Sequence, residues 1–427
     1  MRRAVRAGAH VQRHRSRRAR APVRPRDRRV PRVIAVDGAR ASARATRPEA
    51  HVGAGTAVHL AHRALARGPA VMVVDAHVES RLPGSLTGAF AARLVHRGRA
   101  TVDSARHLAA LLERTGARSV FIAGGGSVID VAKLAVASLD DSRLLGAIAR
   151  HGRDRGVMHR GAPGSEASLF VAPTTVGTGA ESSTGLVVEV ASGGERFAVL
   201  VVAPGTGIEA IAFDDDLLRL PDPLLRDGVY EAITRVAAAA FESPSSLPLA
   251  DREAYDLLAA LAAVGRRIGE GGRDDGRHAA FPRDSIAVDA ALLSSASHSG
   301  WALAGRGFAP SSAWFIATEL SMALGVRKAA ALGLAFRPYL ETFLTPARAT
   351  RLQSIGAALG VAGEPSAIDD ALTRLLAPEP VTRAIDAEYV ADRVVRRFGR
   401  AGPLSPELAR ERIVAILAAA ETRRRTS

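Results

Sequence analysis

Ala123–Lys133 reads AGGGSVIDVAK. A short apolar run, Ser119–Ala123 (SVFIA), ends in three glycines, and a helical pattern starts at once. Gly124, Gly125 and Gly126 carry no Cβ, so a ligand can approach the backbone closely. Ser127 is expected to cap the helix, with Asp130 three residues on completing an acidic capping box. The free N–H groups and positive end of such a helix favour a phosphate. The spacing is not G-x-G-x-x-G, so this is not the common dinucleotide fingerprint. On the residues alone, a phosphate turn and a merely tight strand–helix turn both stay open.

Two neighbouring segments extend the pattern. Ser168–Ala172 is an apolar strand that runs into Pro173–Gly179 (PTTVGTG). Its hydroxyls, Thr174, Thr175 and Thr178, can hydrogen-bond a pyrophosphate or a carboxamide, or can belong to a plain polar loop. Ala70–Val74 (AVMVV) is a buried strand closed by Asp75. A carboxylate there accepts the hydroxyls of an adenosine ribose and repels a 2′-phosphate, which favours NAD over NADP. An aspartate also serves simply to end a strand. Strands are expected as well at His51–Thr56, Ala198–Ala203 and Glu209–Phe213, with helices at Ala57–Arg67 and Asp103–Gly116. Strands alternating with helices imply a parallel sheet covered on both faces, with both loops on its carboxyl edge.

After Leu220-Pro221 the periodicity turns helical. Helices are expected at Asp251–Arg267, Ile286–Leu303, Ser311–Leu324, Ala329–Phe343 and Pro406–Glu421, with a polar loop at Gly269–Arg277. The fold class is therefore α/β: a parallel-sheet dinucleotide-binding domain over 46–217, then an all-helical domain over 218–427.

Composition narrows the function. The chain of 427 residues has no cysteine, which excludes disulfides, thiolate metal sites and cysteine nucleophiles, and suits a cytoplasmic location. No apolar run approaches the ~18 residues of a membrane span. The net charge of +15 is concentrated at the start: residues 1–32 hold thirteen Arg and one Asp. Residues 1–45 read as a disordered Arg-rich arm. A solvated tail or mis-set start, a polyanion-binding segment and a transit peptide are the alternatives for it. The rest is near neutral, so nucleic acid is not the expected partner. Lys133 and Lys328 are the only lysines among 58 basic residues, which suggests sites where a compact ammonium is needed.

Taken together, GGGSVIDVAK and PTTVGTGAESS resemble the GGGSxxDxAK and PTTxGTGSE motifs of the iron-containing alcohol dehydrogenases. The resemblance runs over roughly residues 50–425, including GPLSPELARERIVAIL near the end. It implies the dehydroquinate synthase-like fold of that family. It also implies NAD(P) across the Gly-rich and Thr loops, with Asp75, Gly124, Gly125, Gly126, Ser127, Asp130, Thr174, Thr175 and Thr178 as cofactor-binding positions. The PTTxGTG loop argues against the cyclases that share the fold.

The family holds one divalent metal through an Asp and three His, with a further His near the nicotinamide. Those positions fall here on Glu231, Arg235, Trp314 and Lys328, and the further His on Thr318. Arg and Lys are cations without a donor lone pair, so no metal ligand set is expected. Instead Glu231, Arg235 and Lys328 sum to +1, the charge of a dication with one Asp and neutral His. Lys328, Arg235, Glu231 and Thr318 are the candidate catalytic residues, with Lys328 able to take a hydroxyl proton. A simple Glu231–Arg235 pair at i,i+4 in a dead site is the competing reading.

The sequence thus predicts an NAD-dependent, metal-free oxidoreductase acting on a hydroxyl group. The substrate class would be a β-hydroxy acid or, by analogy with peptide natural-product pathways, a peptide C-terminal Thr. A non-catalytic NAD-binding protein and a metal enzyme with a relocated site are the alternatives. A homodimer is compatible with the chain.

Overall fold

The computed structural model describes residues 48–160, 167–203, 207–270, 286–306, 311–399, 404–405 and 407–426. The Arg-rich arm and most of the Gly269–Arg277 loop lie outside them. Six strands make one parallel sheet: β1 (Glu49–Val52), β2 (Ala70–Asp75), β3 (Ala92–His96), β4 (Ser119–Gly124), β6 (Ser168–Pro173) and β9 (Ile208–Phe213), in the order β1-β9-β6-β4-β2-β3. Crossovers include α1 (Thr56–Leu65), the short α2 (Gly84–Thr87), α3 (Val102–Thr115), α4 (Gly126–Asp140) and α5 (Leu144–His151).

Both faces of the sheet are covered, which is why its strands are apolar runs and not alternating ones. Val71, Val73, Val120, Ile122, Leu169 and Val171 pack under α3 and α4. The intervening Met72, Val74, Phe121, Ala123, Phe170 and Ala172 pack under α1.

Ala198–Ala203 does not join this sheet. It belongs to β8 (Glu195–Val202), which pairs antiparallel with β7 (Gly185–Ser192) and parallel with β5 (Val157–His159) in a separate three-stranded sheet. Gly193 and Gly194, both at positive φ, turn the β7–β8 hairpin. Its inner positions Leu186, Val188, Phe197 and Val199 are buried. The hairpin packs on α4 on one side and on a helix of the second layer on the other.

From Asp222 the chain is helical: α6 (Asp222–Glu242), α7 (Pro248–Gly269), α8 (Ile286–Ser299), α9 (Ala313–Leu324), α10 (Lys328–Thr342), α11 (Pro346–Leu359), α12 (Pro365–Leu376), α13 (Ala387–Val394) and α14 (Arg410–Thr426). The expected Ile286–Leu303 helix ends at Ser299, and Trp301–Leu303 is a separate 3-10 turn. Helix α6 runs through the centre, packed by α7, α8, α10 and α11. Its core extends to Ile211 and Phe213 of β9 and to Val176 in the Thr loop. Residues 44–427 form one compact unit. Among the described residues no helix is long and apolar enough to cross a membrane.

Candidate active site

β6, β4 and β2 are neighbours in one parallel sheet, so the Thr loop, the Gly-rich turn and Asp75 leave the same edge. The expected capping is not what forms. Helix α4 starts at Gly126, with Gly125 as N-cap and no side-chain capping bond. Ser127 therefore lies inside the first turn, past the position from which a hydroxyl caps. Asp130 does not turn back either. Its Oδ2 accepts the Val187 N–H at 2.9 Å and so ties α4 to β7. The N–H groups of Gly126 and Ser127 precede any intrahelical acceptor and are available to an anion.

The glycines also serve a contact the sequence did not announce. A Cβ on Gly125 would meet Thr175 Oγ1 at 2.8 Å, and one on Gly126 would meet the Thr178 side chain at 2.9 Å. At Gly124 it would sit 2.5 Å from Val128 Cγ2. The Gly and Thr loops thus interlock, and the buried Thr174 donates its N–H to the Gly124 carbonyl at 3.1 Å. Asp75 accepts the His77 N–H on Oδ1 at 2.8 Å, which ends the strand, and Oδ2 makes no hydrogen bond among the described residues.

Two helices of the second layer hold the Thr loop. Gly177, at φ +99°, meets Gly228 of α6 so closely that a Cβ would fall 2.6 Å from the Gly228 Cα. The Gly177 N–H donates to Ser294 Oγ of α8 at 3.0 Å. Lys133, fully buried, donates to the carbonyls of Ala180, Ser183 and Gly185 at 3.0, 2.7 and 2.6 Å. Three donors on one compact ammonium explain why a lysine stands here.

A cavity of about 230 Å³ opens beyond the phosphate turn. Gly126, Ser127, Asp130 and Thr178 form one end, the β7–β8 hairpin forms a wall, and Glu231, His298, Trp314 and Lys328 form the other end. Positions 231, 314 and 328, far apart in sequence, therefore converge. Lys328 Nζ stands 4.1 Å from the centre of the Trp314 ring, and the Arg235 guanidinium lies 5.0 Å from it. Arg235 is buried and committed: it donates to Ser297 Oγ at 2.6 Å and to the Gly177 carbonyl. It does not pair with Glu231, so the i,i+4 pair is not what these residues form. Thr318 is outside the cavity lining, its hydroxyl bonded at 2.7 Å to the Trp314 carbonyl one turn back.

Several groups here titrate near neutrality. Burial pushes Asp130 up to about 6, against the pull of Lys133, and Glu181 up to about 7. Burial lowers Lys328 to about 8; Arg235 and Arg99 add to this, while Glu231 opposes it. Burial, reinforced by Arg235, Lys133 and Lys328, holds the His298 imidazole well below its usual range, so it is neutral. Such a concentration of shifted groups in a cleft is typical of functional sites. It also revises the charge count, because Asp130, Lys133 and Glu181 join Glu231, Arg235 and Lys328. Arg99, Glu181 and His298 are not legible as site residues in the sequence, since nonlocal packing alone brings them together.

The donor set does not fit a divalent cation. Among the described residues no three His, Cys, Asp or Glu side chains gather as a metal site. Positions 231, 235, 314 and 328, where the sequence motifs put the family's ligands, hold one carboxylate, an indole and two cations.

Residues 46–205 match the family model described as iron-containing alcohol dehydrogenase. Over this stretch the chain is similar to the iron-containing alcohol dehydrogenase family. Comparison with curated sequences gave no match. Among solved structures, an iron-containing alcohol dehydrogenase from Thermococcus thioreducens superposes with TM-score 0.69 at 16% identity, covering 88% of this chain and 98% of that one. The NADH-dependent butanol dehydrogenase A of Thermotoga maritima gives TM-score 0.69 at 16% identity, over 87% and 96%. A maleylacetate reductase from a Rhizobium strain gives 0.65 at 18%, over 88% and 97%. The iron-containing alcohol dehydrogenase fold therefore extends through the helical layer, beyond the matched residues.

Proposed function

We propose that this chain is an NAD-dependent oxidoreductase that interconverts a hydroxyl and a carbonyl group on a small acid, without a catalytic metal. The observation that carries the reading is Lys328, which forms no ion pair among the described residues and lines the cavity that begins at the phosphate turn. Helix-start N–H groups of Gly126 and Ser127 would hold the pyrophosphate, and Asp75 Oδ2 the adenosine ribose. The similarity to an NADH-dependent dehydrogenase and to a maleylacetate reductase supports a nicotinamide cofactor and an acidic substrate. When bound, the nicotinamide supplies the hydride acceptor.

The protein's own residues do the rest. Neutral Lys328 takes the hydroxyl proton, and the ammonium it becomes rests on the Trp314 face beside Glu231. Arg235, fixed by Ser297 and Gly177, keeps the site positive on that side. Arg99 lines the cavity, pairs with Glu189 at 3.6 Å and donates to Met322 Sδ at 3.3 Å, and it is the guanidinium that would hold a substrate carboxylate. Titration calorimetry with NAD and NADP tests the cofactor. NAD should bind in the micromolar range and more tightly than NADP, and Asp75→Ala should narrow the gap. Equal or tighter NADP binding by the unaltered chain contradicts the role given to Asp75.

A further inference from the structure

We propose that the cavity is also an imine-forming site, in which the Lys328 amine condenses with a carbonyl compound of the β-keto acid class. The reading above is needed only to supply that carbonyl, as the product of β-hydroxy acid oxidation.

The chain's two lysines stand in opposite surroundings. Lys133 spends three donors on three carbonyls and has no electron pair to offer. Lys328 lines the cavity and makes no hydrogen bond or ion pair among the described residues, its one close contact being the Trp314 face at 4.1 Å. A desolvated lysine next to another cation is the arrangement that keeps an amine neutral and nucleophilic. Arg235 and Arg99 are those cations, and burial with their help brings Lys328 to about 8 against Glu231 and Asp130. Arg99 at the cavity wall can hold the carboxylate of the same substrate.

The Nζ lone pair attacks the carbonyl carbon, and the oxygen takes a proton. The carbinolamine then loses water, leaving a protonated C=N bond. Cleavage of the C–CO₂ bond sends its electron pair into that bond and releases carbon dioxide. The resulting enamine carbon takes a proton, and hydrolysis returns the ketone and the free amine. No oxidant or reductant is consumed. Asp130, raised to about 6, and Glu231 are the carboxylates placed to carry protons.

The full-length protein, without dinucleotide, is incubated with acetoacetate at mildly alkaline pH and reduced with sodium borohydride. Intact mass and peptide mapping follow. One reduced adduct on Lys328 is expected, with carbon dioxide release faster than in buffer, and Lys328→Arg should abolish both while keeping the wild-type circular dichroism. No adduct, an adduct confined to Lys133 or the N-terminal amine, or an undiminished adduct in Lys328→Arg would overturn the proposal. Separately, an enzyme that reduces NAD with hydroxy acids but cannot be trapped sinks only the imine site. A chain that is trapped but never turns over dinucleotide sinks only the dehydrogenase reading.

Discussion

Lys328→Ala should lower kcat/KM for hydroxyl oxidation by about 2–4 kcal/mol of transition-state stabilisation, roughly 30- to 1000-fold. The loss follows from its place in the cavity: among the described residues, no other lining amine is there to accept the proton. Asp130, Glu189, Glu231 and His298 are the other groups of the lining that could accept a proton, and His298 is surrounded by cations that keep it from protonating. The pH profile gives the sign. The base is the neutral amine, so activity should climb as pH rises toward about 8 and level off above it. In Lys328→Ala that climb should vanish. Lys328→His should not rescue activity, because one imidazole beside Arg235 neither rebuilds a four-ligand metal site nor escapes the local positive field. If Lys328→Ala changes stability but not turnover, the residue is structural and the mechanism fails.

Glu319→Leu should destabilise the fold by about 3–5 kcal/mol, because it takes the anion from the buried Arg397 guanidinium and leaves Arg393 only its pair with Glu195. Glu319 on α9 is fully buried between Arg393 and Arg397. Arg393 Nε donates to it at 2.9 Å, and Arg397 bonds its other oxygen. Both arginines also reach the hairpin. Arg397 donates to the Ala198 carbonyl at 2.6 Å and Arg393 to the Arg196 carbonyl at 2.8 Å. The carboxylate thus anchors β8, and Ala198 of β8 lines the cavity. Chemical denaturation measures the loss. Asp103→Ala, which removes a surface ion pair, is the control and should match the wild type. A Glu319→Leu midpoint equal to that control would show that the buried cluster contributes nothing.

The parallel sheet and its ligand edge were legible because the signals are local. SVFIA before GGGS and SLFVA before PTT each join a fully buried strand to a loop, and the strands pair as expected. The β7–β8 hairpin was also written in the chain: GLVVEVAS alternates, two glycines follow, and ERFAVLVV returns. The apolar run Ala198–Ala203 reads by itself as a strand of the parallel sheet, whereas it belongs to the separate three-stranded one. Alternation with a Gly-Gly turn was the signal that should have set it apart from the continuous apolar runs. The capping box at Ser127 does not form because a helix start depends on backbone geometry that a Gly-rich turn leaves free, and α4 begins two residues sooner than a Ser127 cap would place it. At the cavity, the Glu231, Trp314 and Lys328 positions were found through family motifs. The partners that define their chemistry were not. Arg235 binds Ser297 and Gly177, Arg99 reaches in from the loop after β3, and the His298 ring packs into the space a Cβ on Gly179 would fill. None of these contacts leaves a local pattern.

The central claim is oxidation without a metal, and metal analysis paired with activity tests it most directly. The purified chain is assayed for iron, zinc and other divalent ions, and its NAD reduction with β-hydroxy acids is measured before and after exhaustive chelation. The account predicts far less than one ion per chain and turnover that chelation leaves unchanged, since Arg235, Trp314 and Lys328 occupy ligand positions without offering ligands. About one divalent ion per chain, with activity lost on chelation and restored by that ion, would contradict it.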